Sequence, residues 1–390
     1  MPLTLYRYLL VSTLAPFFAS LTIMTTILFL GRLIPVLNIV LKLGVGFNDF
    51  IRLCAYMAPK LLIFSIPMAS MLGIILCFSR LVNDNEILAL KAGGVSINKI
   101  LPAVIIVGLI TTMLTAFCSI LLIPKSEIAM KKLFLTLAKE KIHRGMREKN
   151  FSDGLKDAVV YIDKIDPKTR EWHGVYVSDT RDPQNPLTIT ARSGRLQSRM
   201  DKMLMVLTLN NGGIHQAKGE KSTIIQFQEY SLSLPVANQQ RTEAMGKSSM
   251  SLTELRKQAA VVGTDSKKGI KYLIEFHYRF ILPIGALILS ILGLPLALRN
   301  SPGQKPVGLP LGILFFVCFY IALTTAKSVA EENIMPVALT MWTPNIIFAL
   351  LTIYILYMTE KEKLPFFIEF GIDIIQGISN RLPSLSRKKS

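Results

Sequence analysis

Six long apolar segments alternate with polar stretches along the chain, three of them before and three after a polar region at about 125–270. An apolar run of ~20 residues is long enough to cross the hydrocarbon core of a bilayer as a helix. The pattern therefore predicts six membrane-spanning helices, at about residues 10–41, 53–79, 100–123, 273–298, 307–327 and 334–358.

The polar region between the third and fourth spans has a different pattern. Residues 125–145 continue the third span as a helix, and apolar and polar positions then alternate in short runs separated by turn-forming stretches. Several short strands at close spacing indicate a β-sandwich or barrel. Two such sheets can enclose an apolar groove, and a spacer domain with a filled core fits the pattern equally well. Ser251 and Glu254 form a capping box, which predicts a short helix before the fourth span.

The distribution of charge predicts the orientation. The chain is 51% hydrophobic, its mean hydropathy is +0.44, and it has 44 Lys and Arg residues against 26 Asp and Glu. Most basic residues of the short loops and tails fall on the side of the N-terminus, whereas the opposite short connections hold only Lys42, Arg52 and Lys327. Because cytoplasmic loops carry the excess of Lys and Arg, both termini are predicted in the cytoplasm and the β domain outside. Charge placed at membrane boundaries also argues against nucleic-acid binding.

No enzyme motif accompanies this pattern. The sequence Gly246-Lys247-Ser248 ends like a phosphate-binding loop, but Arg241 stands where the first glycine is required. The histidines and cysteines have no metal-ligand spacing, and no span has at its centre the Asp, Glu or His that a proton relay requires. We therefore predict a non-catalytic protein without cofactor or metal, so that a separate ATPase must supply any work that it does.

The cytoplasmic connection between the second and third spans contains the first candidate site. Its sequence predicts a short helix at about 83–93. Asn83 or Asp84 can cap the N-terminus of this helix, and Gly93 or Gly94 can end it. A helix of this length in a loop between two spans is well placed to contact a cytoplasmic partner.

This short helix has a charged position and an apolar face. Glu86 lies in its first turn, where a carboxylate is favourable for the helix dipole. The residues of the apolar face are Ile87, Leu88 and Leu90. One interpretation is that the face lies on lipid headgroups or on neighbouring helices. The other is that it docks into a groove on a partner ATPase, with Glu86 as a charged contact.

Basic residues near the predicted outer membrane surface form the second candidate site. At a rise of about 1.5 Å per residue, Arg32 lies roughly 30 Å along the first span, and Lys327 reaches a similar level in the fifth. Lys42 lies beyond this level, and Lys60 lies about two turns into the second span. Snorkelling anchors are one interpretation of each residue. Together they fit an amphiphile with an anionic headgroup, because Lys and Arg bind phosphate.

Two stretches of the chain match a known family. In the cytoplasmic connection, the residues that fit the pattern E-I/L…A-x-G-x-S are Glu86, Ile87, Ala92, Gly94 and Ser96. At the start of the fourth span, the matching residues are Glu275, Arg279, Pro283 and Pro295, of which the first two are four apart and can pair. With its six spans and β insert, the sequence resembles the LptF/LptG (YjgP/YjgQ) permease family of the lipopolysaccharide export system over essentially its whole length.

The resemblance implies a function and a set of partners. It implies a pair of permeases, either two paralogues or two copies of one chain, on a dimer of a cytoplasmic ABC ATPase. Lipopolysaccharide would leave the outer leaflet of the inner membrane through a lateral opening between the first and fifth spans. It would then pass through the periplasmic domain to a periplasmic jellyroll bridge protein. By alignment with the family, Arg32 and Lys327 hold substrate phosphates and Glu86 faces the ATPase. Lys42 and Lys60 are candidates only because of their predicted position near the outer membrane surface.

The expected fold class is an α+β membrane protein with six transmembrane helices and a periplasmic β-jellyroll-like domain between helices 3 and 4. The expected parts are transmembrane helices 1–3 with the coupling helix (1–124), the β domain with its flanking helices (125–270), helices 4–6 (271–358), and a basic cytoplasmic tail with an interfacial helix (359–390). Two alternative functions remain: a membrane scaffold without transport, and a mechanotransmitting protein that relays motion to a periplasmic partner without moving lipid.

Overall fold

The structure is a computed structural model of the 390-residue chain. The residues that it describes are 3–43, 46–145, 149, 151–155, 158–167, 169, 171–179, 187–199, 204–218, 221–235, 246–299 and 307–361. The predicted interfacial helix at 364–378 therefore lies outside the described residues, as does the tail from residue 362 onwards.

Long helices dominate both ends of the chain. The helices before the strands are α1 (Leu3–Leu43), α2 (Phe47–Asn83), α3 (Glu86–Ala92), α4 (Ile97–Phe117) and α5 (Ile123–Gly145). A single π-helical segment at Cys118–Leu122 joins α4 to α5. The helices after the strands are α6 (Leu252–Val262), α7 (Lys267–Ala297), α8 (Gly308–Glu331) and α9 (Val337–Glu360).

In the part of the chain that the structure describes, six stretches of helix are long and apolar enough to cross a membrane, which confirms the six predicted spans. They are Leu3–Leu37, Phe47–Asn83, Ile97–Leu137, Lys267–Ala297, Gly308–Glu331 and Val337–Glu360. The predicted capping box is also confirmed, because the Ser251 hydroxyl accepts from the backbone N–H of Glu254 and the Glu254 carboxylate accepts from the backbone N–H of Ser251. Two reciprocal hydrogen bonds thus start α6.

Two compact units divide the chain. The first contains residues 1–32, 58–123 and 251–390, and the second contains residues 33–57 and 124–250. The end of α1 and the beginning of α2 thus belong to the same unit as the strands.

The first unit has its core around α2 and α7. In each of these two helices 78% of the most apolar 18-residue stretch is buried, whereas in α1 only 11% of the corresponding stretch is buried. Close backbone approach makes this packing possible: a Cβ on Gly293 would lie 2.9 Å from the Met71 carbonyl oxygen. Ser70 also lies 2.6 Å from the Ser290 hydroxyl. Small residues and buried hydroxyls are what allow helices to pack tightly in a membrane.

The described residues of the second unit include six antiparallel strands. They are β1 (Phe151–Leu155), β2 (Ala158–Ile165), β3 (Trp172–Asp179), β4 (Leu187–Arg199), β5 (Leu204–Lys218) and β6 (Lys221–Pro235). Each described strand pairs with its neighbours in chain order, and the β4–β5 register runs without a shift from Leu187↔Gln216 to Arg199↔Leu204. The described strands therefore form one sheet, where the sequence pattern had indicated a sandwich or a barrel.

Alternating side chains of the sheet form the core of the second unit. Trp172, Val177, Ile189 and Leu207 are fully buried, in a cluster that also includes Met130 and Phe134 of α5. The period-two alternation is the same whether the buried face belongs to one sheet or to two, so the sequence alone could not distinguish them. The predicted fold class, a membrane α+β protein with a β domain between the third and fourth spans, is confirmed.

Candidate functional site

The short helix α3 begins one residue after a left-handed turn. Asn85 has a φ of 58° and precedes Glu86, the first helical residue. No side chain makes a capping hydrogen bond there. The prediction that Asn83 or Asp84 caps the helix is therefore wrong, because α2 continues to Asn83 and Asp84 instead lies 3.9 Å from Arg80. The chain thus turns sharply from α2 into α3.

The C-terminal end of α3 is defined by Gly94. This glycine has a φ of 79°, a conformation that only glycine adopts without strain. Its N–H donates to the Lys91 carbonyl and the N–H of Val95 donates to the Leu90 carbonyl, at 2.9 and 3.0 Å. These two bonds are those of a Schellman motif. Of the two predicted terminating glycines, Gly94 is the one in the left-handed position.

The predicted apolar face of α3 is divided between two environments. Ile87 is 5% exposed and belongs to the core of the first unit, against which Leu90 also packs. Leu88 is 63% exposed. Ile87 therefore faces the long helices and Leu90 does so in part, as in the interpretation that the face lies on neighbouring helices, while docking of this face on a partner stays a prediction. Leu88 is the most exposed of the three apolar side chains.

The Glu86 carboxylate lies against the first helix. The hydroxyl of Tyr8 lies 3.0 Å from Oε1 and 2.8 Å from Oε2 of Glu86, so that one donor is shared between both carboxylate oxygens. Tyr8 is 41% exposed and Glu86 is half-buried. A hydrogen bond to an ionised carboxylate is about twice as strong as one between neutral groups. The start of α1 and the start of α3 are thereby connected.

Two further hydrogen bonds connect the segment after α3 to other helices. The Tyr6 hydroxyl donates to the carbonyl of Lys99 at 3.1 Å. The Asn98 amide donates to the Glu360 carboxylate of α9 at 2.6 Å. A surface hollow of about 290 Å³ lies beside this second contact, lined by Lys91, Gly94, Val95, Ser96, Ile97 and Glu360. The first and last spans thus both contact the segment from α3 to the start of α4.

The predicted basic positions lie on three different helices. Arg32 (α1), Lys60 (α2) and Lys327 (α8) are exposed, while the side chain of Lys42 lies outside the described residues. Arg32 precedes the end of α1 by about 16 Å and Lys60 follows the start of α2 by about 20 Å, at a rise of about 1.5 Å per residue. Lys327 lies one turn before the end of α8. Arg32 and Lys60 are therefore at similar distances from the connection between their helices.

The ring of Tyr278 lies near Lys327, and the residue after Tyr278 forms an ion pair. The Lys327 ammonium is 6.0 Å from the centroid of the Tyr278 ring, at the limit of a cation–π contact. Next to Tyr278 in α7, Nη2 of Arg279 lies 3.7 Å from Oε1 of Glu275. The sequence predicted that this pair can form, but not that Arg279 is only 2% exposed. A buried ionisable residue inside a span indicates a functional or structural requirement.

Comparison with known proteins agrees with this arrangement. The family described as lipopolysaccharide export system permease LptF/LptG matches residues 7–358. The chain belongs to the LptF/LptG family. It is 22% identical over 355 residues to the LptF permease protein of Escherichia coli K12, which covers 89% of this chain and 93% of that protein. It is 25% identical over 343 residues to an uncharacterised protein of Rickettsia prowazekii, covering 85% of this chain and 92% of the relative.

Membership of the LptF/LptG family confirms the coarse functional prediction. The protein is a permease of lipopolysaccharide export and a multi-pass protein of the inner membrane. The matched residues include every basic candidate and the whole of α3. Among the described residues of this LptF/LptG permease, no group of three or more His, Cys, Asp or Glu side chains is arranged to hold a metal ion.

The sequence missed four residues that the LptF/LptG fold brings to the candidate site. Tyr6, Tyr8, Asn98 and Glu360 each make a hydrogen bond to or from the segment that begins at α3. Tyr8 and Glu86 are separated by 78 residues in the chain, and Asn98 and Glu360 by 262. No local pattern marks such pairs, because they depend on how the long helices pack. An aromatic hydroxyl close to the predicted end of a span was the only available signal.

Proposed function

We propose that this chain is the non-catalytic permease subunit of an ATP-driven lipopolysaccharide exporter. In this proposal it removes lipopolysaccharide from the outer leaflet of the inner membrane and passes it to a periplasmic jellyroll bridge protein. Hydrolysis is carried out by a dimer of a separate cytoplasmic ABC ATPase. A second permease, either a paralogue or another copy of this chain, completes the lipid cavity.

The exposed position of Leu88 beside Glu86 is the observation that carries the proposal. An apolar side chain that is 63% exposed next to a carboxylate is suited to insertion into a groove of a partner protein. The helices α1 and α9 both contact the segment from α3 to the start of α4. A movement imposed on α3 therefore reaches these spans. ATP-driven closure of the two permeases then reduces the cavity and moves the lipid toward the β domain.

The basic residues are proposed to bind the substrate. Arg32, Lys60 and Lys327 are exposed side chains on helices that also expose apolar residues. In α1 the exposed residues around Arg32 include Leu30 and Ile34. This combination fits a molecule with phosphates and acyl chains, because guanidinium and ammonium groups bind phosphate while the apolar surface accepts the chains. Lys42 is proposed as a further phosphate contact.

The orientation is part of the proposal. Both termini and α3 lie in the cytoplasm, and the β domain lies in the periplasm, because the short loops with most Lys and Arg are those on the side of the termini. Single cysteines at Ser96 and at Thr169, in a variant without the native cysteines, test this orientation. In sealed right-side-out spheroplasts, a membrane-impermeant maleimide should label the residue 169 variant only. Equal labelling of both would contradict the proposal.

Purification of the full-length protein from its own membrane tests the proposed assembly. Mass spectrometry of the purified complex should identify a cytoplasmic ATPase, a second permease subunit or a second copy, and bound lipopolysaccharide. In proteoliposomes that contain lipopolysaccharide, the complex should release lipid only when ATP is hydrolysed. A complex with periplasmic proteins but no ATPase would instead support a scaffold, and ATP hydrolysis that moves a periplasmic partner but no lipid would support a mechanotransmitting protein.

A further inference from the structure

The contact between Tyr8 and Glu86 joins two elements that differ strongly in how they are packed. Both described hydrogen bonds to the Glu86 carboxylate come from the Tyr8 hydroxyl. On the α3 side, Ile87 is buried in the core that α2 and α7 form. On the α1 side, only 11% of the most apolar window is buried. The Tyr8 hydroxyl therefore connects a firmly packed short helix to a sparsely packed long one.

A narrow stripe holds α1 against α2. Leu9, Thr13 and Phe17 are buried at intervals of one helical turn, and the Thr13 hydroxyl lies 3.6 Å from the Cys77 sulfur. At Gly73 the two backbones approach so closely that a Cβ would lie 2.8 Å from Phe17 Cα. Apart from this stripe, most of the apolar stretch of α1 is exposed, so α1 has fewer contacts to break than α2 when it moves. This contact permits α1 to shift relative to α2 more easily than a broad, interdigitated interface would.

A second hydrogen bond extends the connection beyond α3. The Tyr6 hydroxyl donates to the backbone carbonyl of Lys99, in the first turn of α4. Tyr6 and Tyr8 therefore bond to the two ends of the segment from Glu86 to Lys99. The first turns of α1 are held at two points, of which the Glu86 contact is the one that involves a charge.

We propose that Tyr8 is a positioning residue that transmits the movement of α3 to α1, through its hydrogen bond to Glu86. This inference rests on the proposed function, in which a partner ATPase moves α3. Tyr8 fixes the direction of the Glu86 carboxylate and makes the start of α1 follow it. Arg32 lies on the same helix, about 36 Å further along at a rise of about 1.5 Å per residue. A shift of α1 thus moves a proposed phosphate-binding residue when the ATPase acts.

A Tyr8→Phe variant tests the inference, because it removes the hydroxyl and keeps the ring. The full complex with its ATPase and second permease is reconstituted in proteoliposomes that contain lipopolysaccharide. Lipid release and ATP hydrolysis are then measured together. Because the lost hydrogen bond involves an ionised group, lipopolysaccharide released per ATP should fall on the order of tenfold. The matched control is Tyr354→Phe, because no hydrogen bond of the exposed Tyr354 hydroxyl is described. This control variant should release as much lipopolysaccharide per ATP as the wild type does.

A double-mutant cycle with Glu86→Gln distinguishes transmission from general damage. If Tyr8 acts through Glu86, Tyr8→Phe should add little to the loss that Glu86→Gln already causes. Independent effects of the two substitutions, or an unchanged ratio in Tyr8→Phe alone, would overturn the inference. A wild-type complex that hydrolyses ATP but releases no lipid would overturn the proposed function instead. In that case the same cycle, measured as the ATP hydrolysis rate of the complex, still decides whether Tyr8 acts through Glu86.

Discussion

Nη2 of Arg279 lies 3.7 Å from Oε1 of Glu275, one turn earlier in α7, and the two partners differ in solvent access. The arginine side chain is 2% exposed, whereas that of the glutamate is 23% exposed. Loss of the glutamate therefore removes a compensating charge beside a buried cation, while loss of the arginine leaves a carboxylate that is itself partly exposed. The cost of breaking the pair should depend on which partner is removed.

Glu275→Gln should destabilise the protein more than Arg279→Met does, although the first is the smaller chemical change. We expect Glu275→Gln to cost on the order of 3 kcal/mol and Arg279→Met clearly less. Thermal unfolding of the detergent-purified protein measures both. Glu332→Gln, at an exposed position after α8, should have no effect on the unfolding temperature. The reverse ranking of the first two variants would contradict the burial argument.

Gly212→Ala should disrupt the pairing of β5 with its two neighbouring strands. A Cβ on Gly212 would lie 2.0 Å from the Thr190 carbonyl oxygen in β4 and 2.7 Å from the Phe227 ring in β6, so that at least one strand must move. We expect the free energy of unfolding to fall by about 1–3 kcal/mol. Limited proteolysis of residues 151–235 should accordingly be faster than in the wild type. Gly246→Ala is the control, because a Cβ there meets no atom within 4 Å. Equal protease resistance of both variants would contradict the close approach.

Glu86→Lys should weaken the association with the partner ATPase. The substitution reverses the charge beside the exposed Leu88 and also removes the acceptor for the Tyr8 hydroxyl. Truncating one partner of a close interfacial charge pair costs several kcal/mol, so we expect the amount of copurified ATPase to fall by about tenfold or more. Glu332→Lys, a reversal of an exposed charge in the α8–α9 connection, should have no effect. A normal yield of ATPase with Glu86→Lys would count against a coupling role.

Replacement of Arg32 and Lys327 by Ala together should weaken lipopolysaccharide binding. Each substitution removes one proposed charged contact to phosphate, and we expect photocrosslinking of lipopolysaccharide to fall on the order of tenfold. The remaining crosslinking should depend less on salt concentration, because fewer charged contacts are left. The control is the replacement of Arg256 and Lys257, two exposed basic residues of α6. Unchanged crosslinking in the Arg32 and Lys327 variant would identify these residues as membrane anchors.

The sequence was sufficient where the physical requirement is local. The spans follow from apolar length, α6 follows from the capping residues Ser251 and Glu254, and the end of α3 follows from the glycine pair Gly93 and Gly94. The strands follow from the alternation of apolar and polar positions. In each case the determining residues lie within a few positions of one another in the chain, so that a pattern of residue types contains the whole requirement.

The tertiary structure decided everything that joins distant parts of the chain. The sequence placed Ile87, Leu88 and Leu90 on one face, and only packing against the long helices left Leu88 exposed and buried Ile87. The sequence likewise placed Glu86 in a loop, and only the approach of α1 brought Tyr8 within 2.8 Å of its carboxylate. Apolar patterning specifies that a helix is buried on a face but not which helix covers that face, because hydrophobic burial is non-directional. The neighbours of α3 are chosen by close steric fit between whole helices.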